Sequence, residues 1–137
     1  MMKIRARREP ISKRIKDGNG ELLGFVFVLP FIVTFIITIL AASQISEAKQ
    51  ELTYAAYSVG RTVAVSNSTE NANARAAVIC SEILGEEGTF EIEVLDPELG
   101  WQKGNYVKVT VSKQVNTLMP FTSGVRSSDI VMMIENQ

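Results

Sequence analysis

The sequence predicts an α+β protein. A long N-terminal transmembrane helix continues into an amphipathic helix, then come a short second helix and a small three-stranded antiparallel sheet. Three observations predict it. Residues 22–42 form an uncharged apolar run of membrane length. Apolar residues beyond it recur at spacings of three and four. Past Gly88 the period drops to two, the spacing of half-buried strands.

Charge is segregated about the apolar run. Up to Asp17 there are seven cations (Lys3, Arg5, Arg7, Arg8, Lys13, Arg14, Lys16) against Glu9 and Asp17, a net of +5. From Gln44 onward seven Lys and Arg face twelve Asp and Glu, a net of -5. Cations beside a first apolar helix are retained in the cytoplasm, so the N-terminus is expected inside and the C-terminal part outside. This gives a cytoplasmic basic leader over 1–20, a span over 21–43 and an extracytoplasmic α+β domain over 44–137. The basic segment's place directly before the span argues for topology and anionic lipid rather than a nucleic-acid arm.

The apolar run, LLGFVFVLPFIVTFIITILAA, covers roughly 30 Å as a helix, one bilayer core. Phe25 lies near its start. Pro30 removes a backbone donor and is expected to kink the helix. Thr34 and Thr38 share a face, where their hydroxyls reach carbonyls one turn back or a neighbouring helix. The run exceeds a signal-peptide core, and the helical pattern continues through Ala41-Ala42-Ser43, which favours an uncleaved span over a cleaved signal.

From Gln44 to Ser66, Ile45, Ala48, Leu52, Ala55, Val59 and Val63 form a narrow apolar seam. Continuous with the span, this helix would run roughly 69 Å from Glu21 at 1.5 Å per residue. The seam packs either on the chain's own sheet or on sister subunits, and Ala55, Ala56 and Gly60 would let another backbone approach. Tyr54 and Tyr57, three apart, are placed to cover a sheet edge. Asn67-Ser68-Thr69 breaks the pattern and caps a second helix over Ala72 to Leu84, whose face carries Ala72, Ala76, Ile79, Cys80 and Ile83.

Phe90, Ile92 and Val94 alternate with Glu91 and Glu93, and Val107, Val109 and Val111 alternate with Lys108 and Thr110. These strands form a hairpin in which Glu91 and Glu93 could pair with Lys108 and Lys113. Ile130 to Ile134 is the third strand, after a loop around Pro120 and Gly124. Trp101, the one tryptophan, either marks a contact surface or folds back over the sheet.

Chemistry has few residues to use. There is no histidine and one cysteine, Cys80, which lies on an apolar face as an inert thiol. Phosphate loops, paired metal ligands and nucleophile elbows are absent from the sequence. No catalytic or metal-binding residue and no cofactor is expected, and an enzyme is disfavoured.

The basic leader, GNGELLGFVFVLP and SQISEAKQELTYAAYSVGRTVAVS together resemble the TadE-like family of tight-adherence (Tad) pilus assembly proteins. The matching residues are the Gly18 and Gly20 region, the run from Phe25 to Pro30, and Gln50 to Ser66 with Tyr54-Ala55-Ala56 and Arg61. The resemblance implies a pilin-like minor component of the cytoplasmic membrane. Its partners would be the membrane, other pilin-like subunits and the pilus assembly platform, with neither nucleic acid nor a small-molecule substrate. Members often carry a Glu where this chain has Gly24, and a processing region here would fall at Gly18, Gly20 and Glu21. The alternative is a signal-anchored extracytoplasmic binding module of the cell envelope.

Overall fold

The computed structural model describes residues 11–135, with side chains from Asn19 onward. The first ten residues of the expected leader and the surroundings of Gly18 lie outside the described residues. The architecture is α+β: α1 (Ile11–Ala64), α2 (Thr69–Leu84), β1 (Gly88–Val94), β2 (Tyr106–Val115), a 3-10 turn at Pro120–Thr122, and β3 (Gly124–Met133). The chain divides into two compact units, Met1–Ile39 and Leu40–Gln137.

In the first unit α1 passes through Pro30 without ending. The Thr34 hydroxyl donates to the Pro30 carbonyl at 2.7 Å, and Thr38 donates to the Thr34 carbonyl at 2.8 Å. Both threonines thus satisfy themselves within the helix. Neither reaches the Val26 carbonyl, the one that Pro30 leaves without its amide partner, so they do not repair the proline defect. Phe25, Phe27, Phe31 and Phe35 are all exposed. Among the described residues this is the one helix long and apolar enough to cross a membrane.

The second unit is a meander of order β1-β2-β3, antiparallel throughout. Along β2, Val107, Val109 and Val111 point to one face and are fully buried. Against them lie Leu52, Ala55, Val59 and Val63 of α1, Ala72, Ala76, Cys80 and Leu84 of α2, and Ile134. Small residues let the layers close. A Cβ on Gly60 would stand 2.8 Å from Ile130 Cγ2, and one on Gly88 would stand 2.5 Å from Leu84 Cβ.

Helix ends are closed by named donors and acceptors. Ser68 caps α2, its hydroxyl accepting from the Asn71 amide at 3.2 Å. Beyond α1 the Glu135 amide donates to the Ala64 carbonyl at 2.8 Å, and Trp101 Nε1 donates to the Ser66 carbonyl at 3.0 Å. These bonds serve carbonyls at a terminus that the helix itself leaves open. Trp101 therefore folds back on the domain, against its core. The buried Asn105 organises the β1–β2 loop, its amide donating to the Asp96 and Gly100 carbonyls at 2.9 and 2.7 Å.

Two expectations change. The third strand starts at Gly124, not Ile130, because Val125 to Asp129 pair with Gln114 to Thr110 despite lacking apolar alternation. As an edge strand, β3 needs only one paired side and one partly covered face. The charge pairs also differ. Glu93 does stand opposite Lys108, but the Lys108 ammonium is 3.7 Å from Asp129 on β3. Lys113 shares the face of the buried valines and reaches Glu51 of α1 at 3.3 Å. Parity along β2 decides this, since the residue two beyond Val111 must face the helix.

Candidate assembly surface

Within the second unit α1 has two faces of opposite use. Leu52, Ala55, Val59 and Val63 have essentially no exposed surface, and Ile45 and Ala48 are half-buried. Of the two readings of the seam, packing on the chain's own sheet holds for Leu52, Ala55, Val59 and Val63. The four upper residues hold the chain's own sheet, in one buried cluster with the β2 valines. Ala55, Ala56 and Gly60 likewise serve approach by the chain's own core.

The opposite stripe remains free: Glu47, Gln50, Tyr54, Tyr57 and Arg61 are exposed and three or four apart, one line along a helix. Tyr54 is 64% and Tyr57 49% exposed. An aromatic pair on the polar side of an amphipathic helix is the signal that marks this stripe in the sequence, and the apolar seam draws attention away from it. With Lys49 of α1 and Ser127 and Ser128 of β3, the tyrosines line an open groove of about 620 Å³. They flank the β3 edge, where small serines leave the space. A second cleft, of about 380 Å³, lies among Thr62 of α1 and Arg75, Val78 and Ile79 of α2 and is almost wholly apolar.

The remaining sequence-derived residues lie apart from this surface. Phe25, Pro30, Thr34 and Thr38 belong to the first unit, and Gly20 and Glu21 lie within α1 there, exposed. Burial pushes the Cys80 thiol above its ordinary value, since a thiolate loses its hydration among Ala72, Ala76 and Leu84. Among the described residues no three His, Cys, Asp or Glu side chains stand close enough to hold a metal ion. The surface offers shape, aromatic area and a cation, which are means of recognition.

Comparison with family models, with curated proteins and with solved structures gave no match.

Proposed function

We propose that the chain is a TadE-like pseudopilin, a minor pilin-like subunit anchored in the cytoplasmic membrane that acts in assembly or secretion of a Tad-type pilus. The observation that carries this reading is α1. From Leu22 to Ile39 in the first unit it is apolar and almost wholly exposed, and in the second unit one face of it is buried against a three-stranded antiparallel sheet. A helix apolar all round is suited to lipid, and the charge asymmetry about the run favours an N-terminus inside and a sheet domain outside. The protein then works by packing. The span holds it in the bilayer, and the stripe of Tyr54, Tyr57 and Arg61 joins it to other pilin-like subunits or the assembly platform. Catalysis, cofactor, nucleic acid and small-molecule substrate have no part in this reading.

The test is co-purification of the full chain with major pilin and platform proteins from detergent-solubilised membranes. Recovery of those proteins, lost on Tyr54→Asp with Arg61→Glu, supports the proposal. A chain that stays monomeric and ignores pilus components overturns it. The groove of Tyr54, Tyr57, Ser127 and Ser128 favours a second reading, an anchored envelope-binding module. That reading is supported if the same double variant abolishes capture of an envelope protein unrelated to pili.

A further inference from the structure

We infer that the segment from Thr117 to Ser123 is a second membrane contact, a foot that enters the bilayer interface and seats anionic lipid headgroups on Lys49 and Arg126. The inference rests on the reading of residues 22–42 as a bilayer span. Its geometry lies wholly within the second unit. The Gln44 side chain accepts a hydrogen bond from the Leu118 amide at 3.1 Å. Gln44 is only two residues beyond the apolar run, and helical side chains lean toward the N-terminus. Leu118 therefore lies level with the last turn of that run. Ala41 in that turn is 2% exposed, whereas Leu40 beside it is 48% exposed.

At this level the segment presents apolar groups outward. Phe121 is 81% and Leu118 56% exposed. They are held there, because the loop is tied to itself. The Thr117 amide donates to Ser123 Oγ at 2.9 Å, and the Thr117 and Thr122 hydroxyls donate to the Met119 carbonyl at 2.7 and 2.8 Å. A pinned loop cannot turn Phe121 inward to escape water. An aromatic and a leucine at the height of the interface gain by entering it.

Charge points to the same occupant. Lys49 and Arg126, with Ile45, Val125 and Ser127, line a cavity of about 300 Å³ that carries two cations and no acid. At 1.5 Å per residue, Lys49 sits roughly 10 Å past Ala42, and its long stem lets the ammonium snorkel back. The headgroup layer is about 5–8 Å deep on each side of the hydrocarbon. Arg126, whose Nη2 donates to the Thr122 carbonyl at 3.2 Å, is fixed to the foot itself. Apolar groups below and cations above match the layering of a leaflet that carries anionic headgroups on its outer side.

The test uses the full chain in phosphatidylcholine vesicles with and without phosphatidylglycerol. Phe121→Cys, Leu99→Cys and Phe35→Cys each carry a nitrobenzoxadiazole label, the buried Cys80 staying unlabelled. Nitroxide lipids are the quenchers. The expected result is a blue shift and loss of emission at position 121 with shallow nitroxides, no loss at 99, and loss at 35 with deep ones. Phosphatidylglycerol should deepen the loss at 121, and Lys49→Gln with Arg126→Gln should remove that increment. Quenching at 35 with a water-like spectrum at 121 overturns the foot and leaves the span intact. A blue shift at 121 without quenching means that a second copy covers it, which also overturns the foot. No quenching at 35 overturns the span and the foot together. An increment that survives loss of both cations overturns their role in seating lipid.

Discussion

Gly60→Ala isolates the contact between α1 and the sheet. In a helix interior the change should stabilise by about 0.8–1 kcal/mol through propensity alone. Here the new Cβ would stand 2.8 Å from Ile130 Cγ2, well inside the ~3.5–4.0 Å at which carbon atoms attract. Cγ2 is bonded directly to the branched Cβ of Ile130, so it retreats only if the rotamer or the β3 backbone shifts. Such overpacking costs about 1–3 kcal/mol, and the net is a loss of about 1 kcal/mol. For a unit of this size each kcal/mol shifts the melting temperature by about 4–8 °C. The assay is thermal unfolding of the full chain in detergent, followed by fluorescence of Trp101, the one tryptophan and a member of the second unit. Ile130→Leu provides the control, since it moves the branch one atom outward at nearly constant volume. In that background Gly60→Ala should recover its propensity gain of about 0.8–1 kcal/mol, giving a coupling of about 2 kcal/mol between the two sites. If Gly60→Ala raises the melting temperature equally in both backgrounds, the proposed packing of α1 on β3 is wrong.

Leu52→Ala should destabilise by about 2–5 kcal/mol, as for other buried leucines, whereas Tyr54→Ala should stay within about 0.5 kcal/mol; chemical denaturation of the pair separates core from surface on α1. Trp101→Phe keeps an aromatic ring, though a smaller one, but removes the indole N–H and strands the Ser66 carbonyl, a loss of about 1–3 kcal/mol readable by circular dichroism. Lys113→Gln should cost under about 1 kcal/mol, because its pairing with Glu51 is partly exposed, and added salt should shrink the difference from the unsubstituted chain. Cys80 should resist thiol reagents until the domain unfolds. Because its folded value is raised, its contribution to stability is intact below the ordinary thiol value and is lost as pH rises from there through the raised folded value, which melting at alkaline pH with Cys80→Ala as reference checks.

The sequence exposes those parts of the fold that repeat a period. The apolar run, the seam from Leu52 to Val63, the Ala72 to Leu84 face and the β1–β2 alternation all follow from spacing. The first half of β3 is hidden because Arg126, Ser127, Ser128 and Asp129 take their place from pairing with β2, a long-range contact that leaves no local pattern. The partners of Lys108 and Lys113 are hidden for a related reason. Register puts a Glu opposite Lys108, but Asp129 on the third strand competes for it, and Lys113, turned to the valine face by strand parity, meets its acid only because α1 brings Glu51 there. Local pattern finds elements, and tertiary pairing assigns their charges.

The same distinction decides what the outward stripe of α1 can do. An apolar seam on a helix is ambiguous in sequence, since burial within the chain and burial against a partner select the same residues. Once Leu52, Ala55, Val59 and Val63 are committed to the β2 valines, a partner meeting this helix must read the other side. There the exposed groups are Tyr54, Tyr57 and Arg61, with Ser127 and Ser128 beside the two tyrosines at the adjoining edge. Tyrosine and arginine contribute large area and polar tips at low entropic cost, which suits contacts that form between already folded subunits. A partner that inserted between α1 and the sheet would instead have to displace the core, at the cost of the whole domain. Association through this helix therefore adds a contact to a finished fold, and substitutions on its two faces should separate assembly from stability.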